Sequence, residues 1–265
     1  MVREKLAHQS LEIMDLVEYK TGKPISFIED NSLMVRAIWK LSDENDNYHL
    51  VTYNPRYREH LDHIISHEAG HILRFHEAEP EDKLIPYSTK KHKDRAISQL
   101  SKDFEDMARK GIPLKFIIDS FDLYYEGIIH QLTSVPSDMR IEEWIANSYP
   151  RLRPVQEDAL KSQIKESYEV LKPEIEELTP GTIYRATNSM NFAYAGFVSD
   201  MLKDKELSLP YKNTIYETMS RELLNYIKER EDRGYAGDRE AIDAWAKMLS
   251  LKGWYEWMPY IKIKS

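Results

Sequence analysis

Apolar residues recur every three or four positions near the start of the chain, at Leu6, Leu11, Ile13, Met14, Leu16 and Val17, and Gly22 and Pro24 follow. That spacing predicts an amphipathic helix over residues 3–21, stopped at the glycine. The period then falls towards two. Residues 24–28, 34–41 and 48–53 are short runs rich in β-branched and aromatic side chains, with polar separators at 29–32 and 42–47. They predict three strands in a small antiparallel meander. Asn54-Pro55 closes it. From Tyr57 the helical period returns, with Leu61, Ile64, Ile65, Ala69, Ile72 and Leu73 on one stripe. A helix of about five turns is expected there.

Between Pro80 and Lys93 no period is evident, and the cluster Lys90-Lys91-His92-Lys93 reads as a solvated loop. Helices are predicted over 94–110, 114–133, 138–149 and 155–172, ended by Gly111 with Pro113, by Pro136, by Pro150 and by Pro173. Ser137 is the expected N-cap of the third. Further helical patterns cover 187–204, 211–230 and 238–252. The acid-rich stretch 157–177 reads as a solvated helix face, and Thr179-Pro180-Gly181 as a hinge. The aromatic end Trp254-Tyr255-Glu256-Trp257-Met258-Pro259-Tyr260 is expected to dock back on the helical core. The class expected is α+β, mainly α: a domain over residues 1–150 with a small antiparallel sheet, followed by a helical region over 151–265 packed on it.

Composition narrows the chemistry. The 265 residues carry 45 acids against 37 bases, a net charge of −8, without the basic excess of a protein that coats nucleic acid. There is no cysteine, which excludes disulfides, thiol catalysis and thiolate metal sites. Any metal must be held by His, Asp or Glu. The charged N-terminus has no apolar core of a signal peptide and no 18-residue apolar run occurs, so a cytoplasmic address without membrane contact is expected. Nothing in the sequence fixes an oligomeric state.

One constellation carries chemistry. His67-Glu68-Ala69-Gly70-His71 lies in the middle of the second predicted helix. Four residues advance about 400°, so both imidazoles leave one face and can share a zinc ion. Glu68, about 100° round from His67, stands beside that ion, where it can take a proton from water the metal has acidified. Gly70 costs about 1 kcal/mol against Ala in mid-helix, which points to close packing there.

The motif resembles that of the zincin metallopeptidases. The order of helix, short strands, Asn54-Pro55 and motif helix is similar to the layout of ImmA/IrrE-type metallopeptidases over about residues 1–150. The resemblance implies that His67 and His71 bind zinc, that Glu68 is the general base, and that residues 48–53 form the edge strand to which an extended peptide is added.

Catalytic zinc keeps three protein ligands, so one more is needed. Glu77 is where metzincins place a ligand, but that subgroup needs glycine at position 74, and Arg74 stands there. His63 and His76 are not expected to converge on the same ion. A carboxylate on a later helix, the gluzincin solution, fits better. Asp138 and Glu142 are four apart on one face and can divide the work, one on zinc and one holding a ligand histidine by its second ring nitrogen. Glu142 is the expected ligand, with Asp138, Glu143, Glu126 and Glu77 as alternatives. Tyr149, Tyr184, Arg185 and Tyr194 are candidates for stabilising an oxyanion. The expected activity is zinc-dependent hydrolysis of a peptide or protein substrate. The alternative is a non-catalytic binding or regulatory protein on a zincin-like fold, whose zinc would be structural and closed by a fourth protein ligand.

Overall fold

The structure, a computed structural model, describes residues 6–42 and 46–260. Residues 3–5 of the first expected helix and 43–45 of the second polar separator lie outside them. Helix accounts for 71% of the described residues beside a three-stranded and a two-stranded sheet, the mainly α, α+β class expected. The helices are α1 (His8–Thr21), α2 (Leu61–Glu77), α3 (Lys90–Gln99), α4 (Ser101–Arg109), α5 (Leu114–Ser148), α6 (Arg153–Ser167), α7 (Pro173–Leu178), α8 (Gly181–Leu202), α9 (Glu217–Lys228) and α10 (Gly234–Met248). The strands are β1 (Ile25–Glu29), β2 (Ala37–Lys40), β3 (His49–Tyr53), β4 (Leu84–Tyr87) and β5 (Glu256–Pro259). None of the described helices is long and apolar enough to cross a membrane.

The chain forms two compact units, each discontinuous in sequence. The first joins the residues up to Glu79 to Ser137–Ser162. Its α1 buries Ile13, Met14 and Val17 and ends at Gly22, whose φ of 74° suits glycine and whose N–H donates to the Glu18 carbonyl. The three strands do not form a meander. Their order is β1-β3-β2, with β1 parallel and β2 antiparallel to β3. Periodicity reveals strands but not their neighbours, and burial explains the choice: β3 buries His49, Val51 and Tyr53, whereas β1 and β2 keep exposed positions suited to edges. The Tyr53 hydroxyl donates to Glu29 Oε1 at 2.6 Å, tying β3 to β1. After β3, the Asn54 side chain accepts the Arg56 N–H at 2.9 Å and caps the 3-10 turn Pro55–His60 that leads into α2.

The second unit contains Pro80–Pro136 and the residues from Gln163 on. The stretch 80–93 is not irregular, since β4 pairs antiparallel with β5 through it. Pro86 hides that strand in the sequence, yet a two-stranded ribbon has only edges, where proline is tolerated. Lys90 to Lys93 form the first turn of α3, capped by Thr89 together with His92, rather than a loop. The aromatic end does dock: Trp254 is fully buried, stacked on Tyr125 with 5.8 Å between ring centroids.

The largest departure from expectation is α5, a single 35-residue helix with Pro136 inside it. Ser137 is therefore no N-cap. An interior proline costs about 3 kcal/mol, but Leu132 before it and Met139, Ile141 and Ile145 after it are fully buried. Burying each such side chain is worth about 1.5–3 kcal/mol, enough to carry the helix through.

Candidate metal centre

All residues of the centre belong to the first unit. From α2, the buried stripe of Ile64, Ile65, Ala69, Ile72 and Leu73 faces the core and fixes the helix. Against it runs the last third of α5. A Cβ on Gly70 would lie 2.6 Å from Ile141 Cγ2, so the two helices meet at a distance only glycine permits. This close crossing brings Asp138 and Glu142, on either side of Ile141, to the face that carries the histidines.

The two carboxylates take different nitrogens of His67. Asp138 Oδ1 lies 3.4 Å from His67 Nε2 and 3.1 Å from His71 Nε2, and the two Nε2 atoms are 3.2 Å apart. Glu142 Oε1 lies on the other side of the ring, 2.7 Å from His67 Nδ1. The expected trio of His67, His71 and Glu142 is thus not gathered round one point; the carboxylate that joins the two Nε2 atoms is that of Asp138. The reason is reach. Asp138 sits one turn earlier on α5, level with the gap between the two imidazoles, while Glu142 reaches the back of the His67 ring and is fully buried.

Glu142 has further partners. His63 Nε2 stands 2.9 Å and 3.0 Å from its two oxygens, and the Gln156 side-chain amide on α6 donates to Oε2 at 2.7 Å and to the Glu142 carbonyl at 2.9 Å. Burial pushes the Glu142 carboxyl up, but His63 and His67 outweigh this and hold it well below the usual range. The carboxylate only accepts, so the proton of a neutral His67 sits on Nδ1 and the Nε2 lone pair faces His71 and Asp138. Burial also pushes Asp138 up, and His67 and His71 outweigh it, holding that carboxyl at about 2. For His67 burial is the largest influence and favours the neutral ring, but Asp138 and Glu142 overcome it and raise its pKa well above the ordinary value.

Among the described residues two groups have the composition of a metal site: His67, His71 and Asp138, and His63, His67 and Glu142. They differ in what satisfies them. In the second, separations of 2.7–3.0 Å are ordinary charge-assisted hydrogen bonds, closed by one proton on His63 Nε2 that both Glu142 oxygens share and one on His67 Nδ1. In the first, Asp138 Oδ1 is buried and, apart from the two imidazole Nε2 atoms that face it, finds no hydrogen-bond donor among the described residues. Buried polar atoms are almost always paired, so this one marks a missing partner. Bonds of 2.0–2.1 Å in a tetrahedron set ligand atoms about 3.3–3.4 Å apart, and the observed edges of 3.1, 3.2 and 3.4 Å match. No fourth His, Asp or Glu atom joins the three among the described residues. Their side chains are 13–15% exposed, open enough for a small molecule to reach.

Glu68 is buried on α2 directly after His67. Trp39, on β2, lies nearly parallel to the His71 ring, 13° between planes and 6.0 Å between centroids. Because β3 is central, residues 48–53 are not an edge; among the described residues β2, whose Trp39 meets His71, pairs on one side only. The remaining candidates are placed elsewhere. Glu77 pairs with Lys20 at 3.1 Å, Glu143 lies 3.7 Å from Arg140, and Glu126 pairs with Lys93 at 3.1 Å in the second unit. His76 belongs to neither group. Tyr149 packs edge-on against Trp144, while Tyr184, Arg185 and Tyr194 belong to the second unit. Sequence reasoning missed Gln156 and Trp39 altogether and set His63 aside, although His63, one turn before His67, shares its face. No protein-family model, curated protein or solved structure matches the chain.

Proposed function

We propose that the chain is a zinc-dependent hydrolase of peptide bonds, with His67, His71 and Asp138 as the metal ligands and Glu68 as general base. The observation that carries this reading is the triangle of two Nε2 atoms and one orphaned carboxylate oxygen, with tetrahedral edges. Zinc held there supplies Lewis acidity to a carbonyl oxygen and acidifies water at its open position. The charges of Asp138 and of fully buried Glu142 offset those of a divalent ion held by neutral imidazoles, and Glu68 beside them is a third carboxylate, left anionic to act as base. Glu142 holds His67 in the tautomer that presents Nε2, the usual duty of a carboxylate behind a metal-binding histidine. Glu68, beside the ligands on α2, takes the proton of the attacking water and returns it to the leaving amine. The three-donor set supports this reading over a structural ion, which would call for a fourth protein ligand. The side of β2 away from β3 is where an extended substrate would add as a further strand.

The test is hydrolysis of a peptide library by the purified chain, with and without a chelator, read by mass spectrometry. Cleavage that stops on chelation and returns with zinc is expected, together with a loss of at least about 100-fold in Glu68→Gln at full metal content. A Glu68→Gln protein that cleaves at the wild-type rate overturns the assignment of the base, and a wild-type protein that cleaves nothing overturns the activity.

A further inference from the structure

Glu142 cannot hold His67 unaided. It is a fully buried carboxylate with two oxygens, and His67 satisfies only Oε1. Oε2 is held by Gln156, whose amide also donates to the Glu142 main-chain carbonyl, so one side chain ties the carboxylate to its own backbone. His63 Nε2 spans both oxygens at 2.9 Å and 3.0 Å, which fixes the plane of the carboxylate. His63 and His67 are one helical turn apart on α2, so the ring and the anchor of the group behind it move together. We propose that His63 and Gln156 are positioning residues: through Glu142 they set the orientation and tautomer of His67, and with them the affinity of the centre for metal. This rests on the metal assignment above, beyond which it adds a second layer of control reaching into α6.

The experiment titrates Co2+ into the full chain by competition with a chelator and records the visible absorption of the bound ion, for wild type, His63→Leu, His63→Gln and Gln156→Met. Losses of about tenfold or more are expected for His63→Leu and Gln156→Met, with altered cobalt spectra. His63→Gln, whose amide can reach the same oxygens, recovers most of the loss. In a Glu142→Gln background, His63→Leu has no further effect on affinity, because its route of action is gone. That non-additivity separates positioning from a general loss of stability, and the uncharged amide lets the double variant be studied even where His63→Leu alone folds poorly. Wild-type affinity and spectrum in Gln156→Met and His63→Leu, or strictly additive effects with Glu142→Gln, overturn the proposal. If wild type binds no metal, the metal assignment fails. Ring 15N shifts of His67 then decide the positioning by themselves: a hydrogen-bonded Nδ1–H in wild type that is unchanged in Gln156→Met overturns it.

Discussion

Gly70 of α2 and Ile141 of α5 meet so closely that a Cβ on the glycine would stand 2.6 Å from Ile141 Cγ2. Everything at the centre depends on this crossing, because the residues that flank Ile141 supply both carboxylates. Gly70→Ala gains about 1 kcal/mol of helix propensity but overpacks a buried contact, at a cost of about 1–3 kcal/mol. Net destabilisation in urea unfolding is expected, with weaker metal uptake. Adding Ile141→Val, which trims the contact, restores part of both. Undiminished stability and metal affinity in Gly70→Ala would show that the approach is not needed.

The two carboxylates are predicted to respond differently to neutralisation. Asp138→Asn removes a ligand and abolishes stoichiometric zinc binding. Glu142→Gln keeps one zinc per chain but weakens it about 10- to 100-fold, since it disturbs only the nitrogen behind the ligand. Equilibrium dialysis with metal analysis separates the cases, and the opposite ranking would return the ligand role to Glu142.

The metal-free protein has a defined pH profile. Asp138 is held at about 2 against an ordinary 3.8, and Glu142 well below 4.5, so their contribution to stability is full above those ordinary values and is lost as pH falls through the folded ones. His67 is raised above 6.5, so its contribution is full below 6.5 and is lost as pH rises through its folded value. The contribution of these three groups to the thermal midpoint in a chelator should therefore be largest between about pH 4.5 and 6.5, while His49, held at about 4 chiefly by burial, works against stability below 6.5. Zinc requires the deprotonated Nε2, so its stabilising effect should grow with pH and its binding near pH 6.5 should release protons. In a His49→Gln background, where that opposing titration is gone, a metal-free midpoint that climbs from pH 6 to pH 8 would contradict this.

Trp39 stacks on His71, and it is one of five tryptophans. Loading with Co2+ is expected to quench emission in wild type more than in Trp39→Phe, and the difference should report Trp39 alone. Equal fractional quenching in both proteins would place the ion away from His71.

Much of this was legible in the sequence, and the rest was not, for identifiable reasons. The motif helix, the meaning of Gly70 and the mainly α class follow from periodicity and spacing, which are local. Sheet order is not local: β1 and β3 are direct parallel neighbours although β2 comes between them in the sequence, and no pattern within a strand records its neighbour. β4 and the unbroken α5 were masked by Pro86 and Pro136, because proline rules describe intrinsic cost and tertiary burial overrode it. The division of labour between Asp138 and Glu142 was readable as a pair at i and i+4. Which of them meets the two Nε2 atoms depends on the register between α5 and α2, set by Gly70 against Ile141.

The most direct measurement is anomalous diffraction at the zinc absorption edge from crystals grown with zinc. A single strong peak bounded by His67 Nε2, His71 Nε2 and Asp138 Oδ1 is predicted, with Glu142 on His67 Nδ1. A peak enclosed by His63, His67 Nδ1 and Glu142, or none at either place, would contradict the account.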